Sequence, residues 1–423
     1  MRDADLITPD LESTLTHLGP VGAVVGVVTL NNAETVDPIL RAARQGAVWS
    51  GGPRTLVVHA DGGSLDGTVT RAHDALRADD GAPVFSVPDP GIPRPGRDLA
   101  RAGAIRAVLV LARRLGARGC VVLDGGRLGV APDWVGRLLT PVLEREIDFV
   151  APYYLRPRFA GAIVSGIVYP MTRALYGKRV RFPLAEDFAC SPRLVDRYLS
   201  RTAVWENDLV RTGPDVWLGT QALTGGFRLS QVFLGPKLPS VETAAEDLPQ
   251  TLARVLGALF AEVERNQAVW QKVRGSEAVE LEGPVPSPEP GAVAIDVKRS
   301  LDGFRLGQEN LRDIWGLVLS PLVLLELKKL ARQPDDALRF PDALWARIVY
   351  DFALAYRLRT INRDHLLAAF APLYLGWLGA FVSEAGGADG RKLESRIEQL
   401  CLRYETEKPY LISRWRSPDR FNP

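Results

Sequence analysis

From Val21 to Leu234 the chain alternates short, β-branched apolar runs with helix-patterned stretches, and this alternation restricts the fold more than any other feature. The runs are GAVVGVVTL (22–30), TLVVHA (55–60), PVFSV (83–87), GCVVLD (119–124), DFVAPY (148–153) and LSQVFLG (229–235). Near-continuous apolar runs of this length suit strands buried on both faces of a mostly parallel sheet. Helical patterns lie between them at 33–45, 66–78 and 98–115. The expected fold class is therefore α/β, a layered, Rossmann-like sheet with right-handed crossovers.

After Leu248 the texture changes. Residues 248–273 read as one amphipathic helix, and GSEAVELEGPVPSPEPG (275–291) reads as a linker. From about Ser300 the chain is helix-patterned; Leu344, Trp345, Ile348, Val349, Phe352 and Tyr356 form one stripe. The tail, 404–423, has no clear period. The boundaries expected are an N-terminal extension (1–20), an α/β domain (21–248), a helix with linker (249–299) and an all-α C-terminal domain (300–423). The longest apolar run, 366–382, is broken by Pro372 and two glycines. It predicts a buried helix hairpin, with peripheral membrane contact as the second reading.

A length of 423 residues exceeds one ordinary core, and 46% hydrophobic with 24% charged residues suits globular domains. A net charge of +2, with acids interspersed among the arginines, leaves no nucleic-acid footprint. Cys120, Cys190 and Cys401 are distant and form no CxxC pair, which points to a reducing compartment. The first twenty residues lack a signal-peptide core, so a cytoplasmic protein without a transmembrane segment is expected. The helical domain admits a homo-oligomer.

No GxGxxG follows the first strand, and neither GxxxxGK[ST] nor GxSxG occurs. His17, His59, His73 and His365 show no metal-ligand spacing. Ligands of such sheets bind beyond the carboxyl ends of the strands. Four ends there are polar: Thr29 to Glu34, Asp61 to Thr68, Arg94 to Asp98, and Asp124 to Arg127. Asp, Asn and Gly cap helices and turns anywhere, but four successive polar turns on one sheet edge point to a shared ligand.

These stretches resemble GT-A glycosyltransferases. TLNNAET resembles their first-strand turn, and DGGSLDGT their D-G-S-x-D-G-T with one residue inserted. RPGRDLARAGAIRAVL resembles the helix start at the diphosphate, with Arg97 for the usual Lys. VLDGGRLGVAPDWV resembles the D-x-D region. The closer resemblance, over about Val21 to Leu248, is to mannosylglycerate synthase and glucosyl-phosphoglycerate synthase, which are retaining enzymes. APYYLRPR (151–158), FPLAEDFACSPRLVDRYL (182–199) and TGPDVWLGTQALTGGFRLSQVFLGPKLPS (212–240) carry it.

The resemblance implies transfer of a hexose from a nucleotide-diphosphate sugar to a small polar acceptor. Asn31, Glu34, Asp61 and Asp66 would meet the nucleotide. Arg97, Asp124, Arg127 and Lys237 would meet the diphosphate, and Glu186, Asp187 and Arg156 the sugar and acceptor. Asp215 matches the catalytic carboxylate, and Asp124 is the one metal ligand. Three departures stand against this. Asp124-Gly125-Gly126 lacks the second carboxylate of D-x-D, no His occurs near Pro239, and Ala160, Ala162 and Ser165 stand in the acceptor segment. A Mg or Mn ion wants several hard ligands, so the use of a divalent cation stays open: either Arg97, Arg127 and Lys237 replace it, or catalysis has been lost and the fold serves binding or regulation. The alternative is a pseudoenzyme that binds ligand or partner without turnover. A nucleotidyltransferase-like enzyme is a third reading, opposed by the absence of its glycine-rich loop.

Overall fold

The computed structural model describes residues 9–49, 51–77, 84–87, 97–205, 213–238, 248–283 and 291–417, with backbone alone at 9–12, 14, 84–87 and 97–100. Ten strands are present among them: β1 (Ala23–Thr29), β2 (Thr55–Asp61), β3 (Val84–Val87), β4 (Gly119–Asp124), β5 (Phe149–Leu155), β6 (Lys178–Arg179), β7 (Phe188–Cys190), β8 (Leu229–Pro236), β9 (Glu277–Ala278) and β10 (Leu281–Glu282). The chain divides into two units. The first takes Met1–Tyr154, Phe182–Ala245 and Val279–Pro284; the second takes Leu155–Arg181, Glu246–Ala278 and Val285–Pro423.

The first unit is built on an eight-stranded sheet in the order β10-β8-β5-β7-β4-β1-β2-β3. β1 pairs in parallel with β2 and β4, β2 with β3, and β8 with β10. All seven residues of both β1 and β2 are buried, as two-sided coverage by helices requires. Each buried valine there contributes about 1.5–3 kcal/mol. Gly26 fits the close approach of the helix Arg97–Arg114, since a Cβ would lie 2.4 Å from Val108 Cγ1. The α/β, mostly parallel sheet read from the sequence is what the chain forms.

The sequence reading missed β7, which is antiparallel to both β4 and β5. Three residues are too few to show a period, and only the sheet around them makes them a strand. The expected linker is also corrected in its first half. Its residues 277–278 and 281–282 are the strands β9 and β10, and the Gln231 N–H donates to the Glu280 carbonyl at 2.8 Å. The second half, 284–290, lies outside the described residues.

The second unit is mostly helical, and its boundaries differ from the expected ones. It takes in 155–181 from the middle of the expected α/β domain, a stretch with the π-turn Val164–Val168 and the helix Tyr169–Tyr176. The expected 248–273 helix ends at Arg265 and resumes at Gln267–Trp270. Between them Asn266 turns back, its Nδ2 donating to the Glu262 carbonyl at 2.8 Å. The expected hairpin at 366–382 is instead one helix, Arg363–Ala385. Gly376 and Gly379 do not break it; they let the helix Val297–Asn310 approach, for a Cβ would lie 2.6 Å from Phe304 Cγ and 2.8 Å from Leu301 Cδ2. This helix is long and apolar enough to cross a membrane, yet 67% of its most apolar window is buried within the protein. The aperiodic-looking tail is helical to Arg416.

Candidate active site

The carboxyl ends of β1 and β2 form the first of two polar groups, both in the first unit. Asn31 adopts a left-handed backbone conformation, φ 56°, tolerated better by Asn than by most residues. Its Oδ1 accepts the Leu65 N–H at 2.9 Å, and its own N–H donates to Ser64 Oγ at 2.7 Å. Asp61 is enclosed. Its carboxylate accepts the Gly63 and Ser64 N–H groups at 2.8 and 2.7 Å, and the Ser64 and Thr29 hydroxyls at 2.6 and 2.8 Å. Asp66 accepts the Ala33 N–H at 3.0 Å and the Thr68 hydroxyl at 2.5 Å. Slight burial opposes its charge, but those bonds hold its carboxyl below the usual range. Glu34 is exposed. Asn31, Asp61 and Asp66 thus tie the two turns into one platform.

The second group lies at the end of β4. Gly125 allows the strand end to cross β1, where a Cβ would sit 2.6 Å from the Val28 carbonyl oxygen. At the third position of the D-x-D-like motif, Gly126 offers a backbone N–H that donates to Asp124 Oδ1 at 3.0 Å. Gly213 (φ 71°) and Pro214 then start the helix Pro214–Thr224, which places Asp215 in its first turn. Gly219 lets this helix meet the 183–185 backbone, and the Ala185 N–H donates to the Asp215 carbonyl at 3.1 Å. Glu186 and Asp187 are brought beside Asp124 and Asp215 in this way.

Among the described residues, three cationic side chains meet four carboxylates here. Arg101 lies 3.5 Å from Asp124 and 3.4 Å from Asp215, and its Nη2 donates to the Glu186 carbonyl at 3.0 Å. Arg127 donates to Asp187 from Nε at 3.0 Å and to Glu186 from Nη2 at 3.0 Å. Lys237 pairs with Glu186. Tyr154 donates to Asp187 Oδ2 at 2.6 Å, and the Asp124 N–H donates to Asp187 Oδ1 at 2.8 Å. Arg127 and Lys237 both lie over the Tyr154 ring, at 5.6 and 5.5 Å.

Burial works against the charges of Arg101, Arg127 and Asp124, yet their partners outweigh it. Asp215, then Asp124, keep Arg101 firmly protonated; Arg101, then Arg127, hold Asp124 below the usual carboxylate range. Burial, then Asp187, push the Tyr154 hydroxyl up, so it stays a donor. Access differs between these groups. Arg127 and Asp187 side chains are 3% and 0% exposed, whereas those of Arg101, Lys237 and Asp215 are 13%, 14% and 18% exposed.

Asp124, Arg127, Lys237, Glu186, Asp187 and Asp215 are therefore brought together. The Arg97 side chain lies outside the described residues, and Arg156 belongs to the second unit. Sequence reading missed Arg101 and Tyr154. Arg101 follows Arg97 by one helical turn, a spacing that could have marked it. The residues do not fit the Mg or Mn ion that the resemblance implies. The Asp124 and Asp215 carboxylates face Arg101, and among the described residues no group of three His, Cys, Asp or Glu is arranged to hold an ion.

No known protein family matches the chain, and no curated protein does. Among solved structures it is similar to a mycobacterial protein, at 21% identity over 60% of this chain and 77% of that one, with a TM-score of 0.41. It is also similar to glucosyl-3-phosphoglycerate synthase from Mycobacterium tuberculosis with Mn2+, uridine diphosphate and glucosyl-3-phosphoglycerate, at 21% identity over 60% and 84%, TM-score 0.38.

Proposed function

We propose that this chain is a GT-A-type glycosyltransferase that moves a hexose from a nucleoside-diphosphate sugar to a small polar acceptor. The carrying observation is that two ion-pair clusters, Arg101 with Asp124 and Asp215, and Arg127 and Lys237 with Glu186, are joined through backbone hydrogen bonds at the carboxyl edge of β4. The platform of Asn31, Asp61 and Asp66, with exposed Glu34, would seat the nucleoside. Lys237 and Arg101, the more accessible cations, would meet the diphosphate. When the bond from the sugar C1 to the phosphate oxygen breaks, its electron pair leaves on the diphosphate, and fixed cations stabilise that charge. Asp215, beside them, would face C1 and the acceptor hydroxyl. Arg127 and Asp187 would hold Glu186 and Asp124 in place.

A second reading has its own observation. Arg101 and Lys237 are already paired with carboxylates, as suits a site that holds a ligand without turnover. Incubation with UDP-glucose, GDP-mannose and GDP-glucose, each with glycerate, 3-phosphoglycerate or glycerol phosphate, separates the two. Release of nucleoside diphosphate with a glycosylated product supports the transferase. Donor binding without product supports the pseudoenzyme, and absence of donor binding contradicts both.

A further inference from the structure

The three oxygens that surround Arg101 come from three separate places in the chain. Asp124 Oδ1 stands at the end of β4, Asp215 Oδ1 in the first turn of the helix Pro214–Thr224, and the Glu186 carbonyl in the loop before β7. Convergent oxygens of this kind, two of them carboxylate, are what a hard divalent cation collects. We propose that the Arg101 guanidinium is the resident cation of this site, standing in a divalent metal's place, so that the site takes a nucleoside diphosphate without one. The claim about what is bound rests on the reading under Proposed function. The claim that Arg101 excludes a metal does not.

Three observations support it. A metal ion binds oxygen at about 2.0–2.6 Å, and the guanidinium already occupies the space between the two carboxylates at 3.4–3.5 Å. The second carboxylate of a D-x-D pair is replaced by a backbone donor, since the Gly126 N–H points at Asp124 Oδ1. Finally, Nη1 faces Asp124 but donates no hydrogen bond among the described residues, while Nε and Nη2 do. A guanidinium has five N–H donors in a planar fork, so the Nη1 pair remains for a phosphate oxygen. Arg101 positions Asp124 and Asp215 and would supply positive charge to the departing diphosphate, which are two roles of the metal.

The test uses the full chain and Mn2+ alone, read by electron paramagnetic resonance, alongside titrations of UDP and GDP in EDTA and in Mn2+. Wild type is expected to leave Mn2+ free, whereas Arg101→Ala and Arg101→Gln, with the oxygens released, bind it at least tenfold more tightly. Wild-type nucleotide affinity is expected to change less than twofold between EDTA and Mn2+. Stoichiometric Mn2+ binding by wild type, or a tenfold gain in its nucleotide affinity with Mn2+, overturns the proposal even if both variants fail to fold. If neither nucleotide binds, the functional reading fails and the Mn2+ titration still decides the role of Arg101.

Discussion

A carboxylate with no exposed surface persists only when all its partners are present, and Asp187 has a guanidinium, a phenol and a backbone N–H around it. Asp187→Ala would leave the buried Arg127 with Glu186 as its remaining carboxylate and take away the acceptor of the Tyr154 hydroxyl. We expect a loss of about 3–5 kcal/mol, read as a lower midpoint in urea unfolding. Asp215→Asn should instead leave stability within about 1 kcal/mol. Its product formation should fall about 100-fold or more at unchanged donor affinity, checked by single-turnover assay and titration. His59 gives a pH prediction. It is fully buried against the Thr29 hydroxyl, and burial lowers its pKa from 6.5 to about 4. The folded state therefore binds its proton less readily than the unfolded chain. The stability from keeping it neutral is complete above pH 6.5 and is lost as pH falls through about 4, at most about 3 kcal/mol. His59→Gln should flatten the acid side of the stability profile measured between pH 4.5 and 7. At this scale the sequence was legible where a residue sits in a motif, as with Asp124 and Asp215. For Arg101 the sequence offered only its place one helical turn after Arg97, because which face of a helix meets a site is settled by packing.

At the scale of elements, the strands were legible because two-sided burial demands near-continuous apolar runs, and β1 and β4 have them. The glycines of 366–382 were misread for a physical reason. Glycine weakens a helix by about 1 kcal/mol, which suggests a break, but here it gives room for Phe304 and Leu301. Gly376→Ala should therefore destabilise the second unit, although alanine favours helix. An extra methyl pressed on a buried ring costs about 1–3 kcal/mol, seen as a fall in melting temperature with helix content retained below it. β7 was not legible at all. Its three residues are held by β4 and β5, and no local signal reports neighbours distant in sequence.

For the whole molecule, each unit draws on three segments of chain, so a boundary at residue 300 does not separate two folding entities. Arg173 shows why. Its side chain has no exposed surface and pairs with Glu398 and Glu405, more than two hundred residues later; Arg181 likewise pairs with Glu394. A chain truncated after Arg299 would strip Arg173 of its carboxylates and the helix Tyr169–Tyr176 of the helix that covers it, and it should be insoluble or lack a cooperative melt by circular dichroism. The sequence could not show this, because residues 155–181 look like part of the α/β pattern until their partners are seen. The central claim, that the carboxyl edge of β1, β2 and β4 is a nucleotide-sugar site, is tested most directly by calorimetric titration of UDP-glucose and GDP-mannose into wild type, Asn31→Ala and Lys237→Ala. The account predicts that one donor binds wild type and binds both variants at least tenfold more weakly, the loss of a charge-assisted bond at Lys237 being worth about 1.5–3 kcal/mol. Equal affinity for all three proteins would contradict it.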